Sequence, residues 1–391
     1  MSQEIFSSIE FQMSLLLFVA LAGYMIASKI NQSVVILEIL IGILIGPSLF
    51  GFITYTDFVR SIATLGATIL LFVVGLEFKV KDIFNIKYGV IALAGVIVPW
   101  IGGFFVAKIF GFSFASAVFV GTALTATSIA ITANVLKEMG KLSEESSKAI
   151  IGAAVIDDVL SLVVLSVSEQ FVSGKISFID TSLVFLKAIA FLSIGIFIGY
   201  KYLNKLVEKI DRSNMGKRFP EFVFIFAMTL AFMYAMIAEY MQLSAIVGAF
   251  IAGVSLEGVS IRHGKDYREG AEYLHIIFAS IFFISLGIIA DFHALTYSMI
   301  GFLVTLTVIS IVTKLIGCYI PSRLYGMSNK DSLIIGFGMS PRGEVAMIVA
   351  LIGLNAQIIG QDIYVSIIVM SLVTTILTPI ILKNWLYKSV N

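Results

Sequence analysis

Two adjacent carboxylates, Asp157 and Asp158, stand inside the stretch Ala149–Val167, AIIGAAVIDDVLSLVVLSV. No other feature limits the fold of this chain so tightly. The flanks are apolar or small, and the stretch approaches the roughly 20 residues a membrane-spanning helix needs. A charge at the bilayer centre costs about 2.5–3.5 kcal/mol on insertion scales, so such a residue faces a bundle interior or a watery cavity and marks an ion or proton path. Adjacent helical residues point about 100° apart. The two acids therefore have different neighbours: one can face a cavity while the other turns to a nearby helix.

The whole chain supports a membrane setting. Of 391 residues, 59% are hydrophobic and 13% charged, the balance of a polytopic membrane protein. A net charge of +1 offers nucleic acid no basic surface. The single cysteine, Cys318, lies in an apolar run and cannot form an internal disulfide. The N-terminal MSQEIFSSIE lacks the basic start of a secretory signal, so the first apolar run reads as a true span. No soluble domain is expected at either end.

Thirteen candidate spans follow: Phe11–Ala27, Val34–Phe50, Ile62–Phe78, Gly89–Phe110, Ala115–Val135, Ala149–Val167, Leu183–Tyr202, Pro220–Ala238, Leu243–Leu256, Tyr273–Ala290, Met299–Ile320, Ser332–Leu354 and Tyr364–Leu382. Together they make one membrane unit over residues 1–391. If loops alternate sides, 20 of the 26 Lys and Arg share one side, from Lys29 through Lys137 and Arg268 to Lys388. Arg60, Lys108 and Lys175 fall on the other, and Lys187, Lys314 and Arg342 within spans. The positive-inside rule then places the N-terminus outside and the C-terminus in the cytoplasm of a cell (inner) membrane.

There is an internal echo. GILIGPSLFG, Gly42 to Gly51 in span two, matches GAFIAGVSLEG, Gly248 to Gly258 in span nine. LLFVVGLEF around Gly75 in span three matches FFISLGIIADF around Gly287 in span ten. Partners seven spans apart run in opposite directions, which predicts an inverted repeat: 1–172, then a linker helix over 173–217, then 218–391. Sites in such folds lie at the midplane, on helices broken at matching positions. Spans five and twelve fit, with GTALTATSIAIT at Gly121–Thr132 and GFGMSPRGEVA at Gly336–Ala346. Pro341 removes a backbone donor, and Gly336, Gly338 and Gly343 weaken the helix. Thr hydroxyls and freed carbonyls there are hard oxygen ligands suited to Na⁺.

Lys314, in the middle of span eleven, needs a carboxylate partner or must lose its proton, and either Asp157 or Asp158 can supply one. Arg342 and Glu344 are expected to hold the broken helix in shape as a structural ion pair, paired with each other or with other groups there. Glu38, Glu77 and Asp291 lie near span ends and read as solvated or capping groups. His263, His275 and His293 show no metal-ligand spacing, so no resident metal, cofactor or enzyme site is expected.

Taken together, TATSIAI at Thr125–Ile131, VIDDVLSL at Val155–Leu162, TKLIG at Thr313–Gly317 and SPRGEVAMIVA at Ser340–Ala350 resemble the monovalent cation:proton antiporter superfamily, in its branch of Na⁺/H⁺ exchangers with paired aspartates. The likeness covers nearly the whole chain. It implies an all-α polytopic membrane protein with 13 transmembrane helices, an inverted six-plus-six repeat and two crossed discontinuous helices, the NhaA-like fold. It implies a mobile core, a dimerisation domain, and a homodimer through helices 11–27 and 220–238. Asp158 would be the essential cation and proton site, Asp157 the partner of Lys314, and Thr127 and Ser128 part of the ion site. The activity implied is antiport of Na⁺ or Li⁺ against protons, electrogenic for the Asp-Asp-Lys pattern. The potassium-efflux branch is similar but tends to carry Gln at the place of Asp157 and a soluble nucleotide-binding domain after the last span.

Three other classes fit less well. A Na⁺-coupled organic anion symporter of the same plan predicts a larger polar cavity. An intramembrane aspartyl protease needs acids facing each other across two helices, whereas these are neighbours on one. A cation channel would lack obligate proton coupling.

Overall fold

The computed structural model describes residues 8–30, 32–79, 85–173, 178–219, 221–259 and 267–387. Outside them lie Pro220, His263, and the basic residues Lys81, Lys175, Arg262, Lys265 and Lys388; the side chain of Glu344 is also outside them. The described elements are helices: α1 Ile9–Ile30, α2 Val34–Ile45, α3 Asp57–Gly75, α4 Ile86–Ile109, α5 Phe114–Ala123, α6 Ile129–Glu138, α7 Glu145–Ser173 and α8 Phe178–Ile198. They continue as α9 Asn204–Arg212, α10 Glu221–Tyr240, α11 Ala245–Ser255, α12 Tyr267–Ile288, α13 Ile300–Leu324, α14 Asn329–Gly338, α15 Glu344–Asn355 and α16 Gln361–Ile381. Among the described residues, nine helical runs are long and apolar enough to cross a membrane. The chain is therefore an all-helical, multi-pass membrane protein.

Local chemistry sets the ends of these helices. Hydroxyls of Thr56, Ser113, Ser244 and Ser328 cap α3, α5, α11 and α14 by accepting early backbone N–H groups. The expected second span, Val34–Phe50, is cut short: α2 stops at Ile45, before Gly46 and Pro47. A residue before proline is pushed out of the helical region, so the helix cannot run on. The expected seventh span, Leu183–Tyr202, is longer than the sequence implies. It runs Ile179–Arg212 through a π-turn at Gly199–Leu203, because apolar residues give way to the polar face of α9 without a helix breaker.

Glycine sorts the helices into two sets. In the first, α1–α3 pack with α10–α12. A Cβ on Gly42 would stand 2.2 Å from the Ile284 carbonyl, one on Gly287 2.2 Å from that of Ile39, one on Gly75 2.3 Å from that of Phe250, and one on Gly253 2.2 Å from that of Phe72. Backbone here lies directly on backbone, an approach that small residues permit inside a membrane. In the second set, α4–α7 pack with α13–α16. Gly121 lies on the Trp100 carbonyl (2.7 Å to an added Cβ), Gly317 on that of Ala94 (2.7 Å), and Gly336 on the Leu315 side chain (2.4 Å). Among the described residues the interhelical glycine contacts stay inside one set or the other, apart from Gly195 and Gly199, which join the long helix after α7 to the first set.

Glu38 departs from the sequence reading. It is neither solvated nor a cap but 2% exposed, one turn inside α2. Gly23 of α1 leaves room for its stem, with 3.2 Å between an added Cβ and Glu38 Cγ, and its carboxyl faces Ser280 of α12. Glu77, beyond α3, is exposed as read and pairs there with Lys137.

Candidate ion-binding site

Both helices expected to break do so. The first is interrupted between Ala123 and Ile129, the second between Gly338 and Glu344. At the second break Pro341 supplies no N–H, and Gly343 is non-helical (φ −127°, ψ −144°). The two breaks touch. Ser128 N–H donates to the Pro341 carbonyl (2.9 Å), Thr127 Oγ1 to that of Met339 (3.1 Å), and Thr132 Oγ1 to that of Gly338 (2.6 Å). Gly343 must be glycine here, because a Cβ would lie 2.5 Å from Ser128 Oγ. The carbonyl ends of α5 and α14 and the N–H ends of α6 and α15 thus converge, bringing partial charges of both signs to one point.

Two cations serve the first break. Lys314 Nζ, on α13, donates to the Thr125 carbonyl at 2.8 Å. Arg342 Nη1 donates to the Thr125 and Ala126 carbonyls at 3.3 and 2.8 Å, and its Nη2 reaches the Ser310 carbonyl at 3.4 Å. The Thr125 and Ala126 carbonyls lie where the helix opened, and a buried orphan carbonyl is costly. The Arg342 guanidinium thus serves mainly the other broken helix, with one bond to α13; the expected pairing with Glu344 falls on a side chain outside the described residues.

Between Asp157 and Asp158, Lys314 meets Asp157: Nζ to Oδ1 is 2.8 Å, with both side chains fully buried. Gly95 on α4 clears the way, since a Cβ there would come within 3.7 Å of Nζ and 2.8 Å of the Cys318 sulfur. Asp158, one residue further along α7, is 9% exposed, and Thr127 and Ser128 are 8% and 2% exposed. Asp157 Oδ2 and Ser128 Oγ are buried and make no hydrogen bond among the described residues, which leaves oxygen lone pairs for a small cation or a proton. Among the described residues, no group of three or more His, Cys, Asp or Glu could hold a resident metal.

The sequence reading missed one component, on α16. Thr375 Oγ1 donates to the Arg342 carbonyl (2.9 Å), Arg342 N–H donates to Thr374 Oγ1 (3.2 Å), and Thr378 Oγ1 reaches the Phe337 carbonyl (3.4 Å). The Thr374 and Thr375 hydroxyls thus stand in for helical partners lost at the second break, and Thr378 adds a donor to a carbonyl that Ser340 N–H also serves. The signal was TTILT, three threonines in five residues of an otherwise apolar span.

Residues 15–388 match the family described as sodium/hydrogen exchanger, transmembrane. The chain is 32% identical over 375 residues to the Na(+)/H(+)-K(+) antiporter GerN of Bacillus cereus, covering 95% of each chain. It is 30% identical to the Na(+)/H(+) antiporter of Enterococcus hirae, covering 96% of this chain and 97% of that one. Its fold is similar to that of the sodium proton antiporter MjNhaP1 of Methanocaldococcus jannaschii, with a TM-score of 0.68 at 18% identity over 96% of this chain and 95% of that chain. With a match that runs from the first helix to beyond the last, the chain belongs to the transmembrane sodium/hydrogen exchanger family.

Proposed function

We propose that this chain is a secondary active antiporter that exchanges Na⁺ or Li⁺ for protons by alternating access. The observation that carries the reading is the buried Lys314–Asp157 pair at the meeting of two broken helices, with a second acid, Asp158, beside it. Relatives at 30–33% identity carry Na⁺/H⁺ antiporter names, which supports it.

The chemistry is competition for one carboxylate. Asp158 takes either a proton or a cation, with Thr127, Ser128 and Asp157 supplying further oxygens. With all four groups ionised, two acids balance two bases, Lys314 and Arg342. An arriving cation adds a charge that a buried site sheds as a proton. An empty charged site is costly to carry through the barrier, so loaded or protonated forms cross and the unloaded form does not. If Lys314 gives up its proton when Na⁺ binds between the acids, two protons move per ion and exchange is electrogenic.

The architecture in this reading has thirteen spans. The two interrupted helices and the short α2 and α11 join the nine long runs. Residues 1–172 and 218–391 form inverted repeats around a linker over 173–217. Support comes from reciprocal glycine contacts: Gly42 and Gly287 join α2 to α12 as Gly253 and Gly75 join α11 to α3. The counterpart of Gly42 in that packing is Gly253, five residues beyond Gly248, the match suggested by the first glycines. The first set is the scaffold and dimer domain, and the second is the moving core. The apolar outer faces of α1 and α10, with Phe18 66% and Met236 62% exposed, suit contact with lipid and with a second copy. The lysine-rich ends face the cytoplasm.

One relative is named for K⁺ as well as Na⁺, which favours K⁺ as the second reading. The test is cation-driven proton movement in proteoliposomes with Na⁺, Li⁺ and K⁺ at several pH values. Asp158→Asn is expected to abolish it while the protein stays folded; full exchange in that variant refutes the site.

A further inference from the structure

Glycine contacts hold each set of helices together, but none was found to bridge the two among the described residues. The hydrogen bonds that do bridge them gather at the lysine-rich end, and most issue from α6. Glu138 Oε2 accepts from Ser33 Oγ, at the start of α2, at 2.7 Å. Glu138 Oε1 accepts from Asn134 Nδ2 at 3.1 Å. Asn134 Oδ1 in turn meets His275 Nε2 of α12 at 3.0 Å. Lys137 Nζ pairs with Glu272 of α12 and, at 3.3 Å, with Glu77 beyond α3.

Ser33 stands at the cap position of α2 yet makes no cap bond of its own. Glu138 accepts from its hydroxyl and from the Val34 N–H, so an acid of one set caps a helix of the other. A carboxylate fits that N-terminus, where partial positive charge collects, but is opposed at the C-terminus of its own helix. Glu138 is held from both sides, by Ser33 and Val34 of the far set and by Asn134 and Lys383 of its own. A cavity of about 710 Å³, lined by Gln32, Ser33, Glu138, Lys141, Lys383 and Tyr387, opens beside the contact. Water from it can replace each bond as the contact parts.

The other end of α6 is the ion site. The helix is ten residues long, roughly 15 Å. It begins directly after Thr127 and Ser128, so a rigid rod joins the two places.

We propose that Asn134, Lys137 and Glu138 form a releasable clasp that positions the α6 side of the ion site, and that each exchange cycle requires the clasp to open. The proposal rests on the alternating-access reading. These are positioning residues; they do not touch the ion. Opening frees α6 from α2 and α12 without disturbing the glycine contacts within either set.

The test uses the full chain in proteoliposomes. Ser33→Cys with Glu138→Cys is linked by a short, reducible bis-methanethiosulfonate, and Na⁺-driven proton movement is followed before linking, after it and after reduction. Linking is expected to lower exchange about tenfold or more, and reduction to restore it. Cys318 is buried, and wild type carried through the same steps reports any effect of the reagent on it. Unchanged exchange in the linked protein overturns the clasp. A wild type that moves no protons with Na⁺, Li⁺ or K⁺ overturns the exchange reading instead, so the two failures are distinct. A second variant, Asn134→Ala with Glu138→Gln, loosens the clasp. It is expected to shift the apparent KM for Na⁺ by about threefold or more, because the binding-competent fraction changes. Its Li⁺-over-Na⁺ preference stays that of wild type, because the ion ligands are untouched. Wild-type KM and rate in that variant overturn the proposal.

Discussion

Two regions of this molecule bring helix backbones into contact in opposite ways. Where α2 meets α12 and α3 meets α11, glycines let unbroken helices touch, backbone on backbone. Where the interrupted helices meet, the backbones open. Their freed carbonyls are then answered by Lys314, Arg342, Thr127, Thr132 and Thr375. The first solution needs no charge and tolerates no added atom. The second requires buried charge, and a carboxylate to balance it. The second leaves buried oxygen atoms that make no hydrogen bond among the described residues, so the proposed ion chemistry is assigned there and rigidity to the glycine contacts.

The sharpest way to break this comparison is to add atoms to the glycine contact. Gly75→Leu sets a Cβ 2.3 Å from the Phe250 carbonyl, and that backbone has nowhere to go. Loss of folded, monodisperse protein on gel filtration in detergent is expected. Gly301→Leu, whose nearest neighbour is 3.7 Å away at Phe110, is expected to fold normally. If both variants fold and exchange alike, the glycine set is not the rigid element.

A smaller effect is expected at the crossing. Lys314→Ala leaves Asp157 buried and without its cation, a loss of about 3–5 kcal/mol when one member of a buried pair is removed. Thermal unfolding in detergent measures it. Adding Asp157→Asn is expected to recover much of the loss, because the stranded charge is then gone. Exchange in Lys314→Ala is also expected to lose its dependence on membrane voltage. A loss that the second substitution leaves untouched assigns the role of Lys314 to its bond with the Thr125 carbonyl rather than to charge balance.

How much could be read from the sequence follows from the same division. Asp157 and Asp158 were legible because charge inside an apolar stretch has few explanations. Pro341 and its glycines were legible because they cannot sustain a helix. The glycine echo was legible as a pattern, but its register was not, since which glycine lies on which carbonyl depends on how the helices cross. Glu38 looked like a residue at a span end. Only its neighbours on α1 and α12 make it a buried one. Arg342 looked like the partner of an acid two residues away. Its Nη1 instead bonds a broken helix more than 200 residues back in the chain, which no local pattern reports.

Thr375 is the finest test of the comparison. Threonine in a membrane helix usually bonds the carbonyl one turn back in its own helix, as Thr305 does with that of Gly301 at 2.8 Å. That carbonyl already has a helical donor, so Thr305→Val is expected to change stability by only a few tenths of a kcal/mol, roughly the size of a surface substitution. Thr375 donates instead to the Arg342 carbonyl, inside the break. Thr375→Val fills nearly the same space but leaves that buried carbonyl without this donor, at a cost of about 1–3 kcal/mol. Exchange is expected to persist, because Thr375 is not an ion ligand in this reading. Melting both variants side by side decides the matter. Equal stabilities place the missing partner of the Arg342 carbonyl elsewhere, and the opened backbone is then no more dependent on side chains than the closed one.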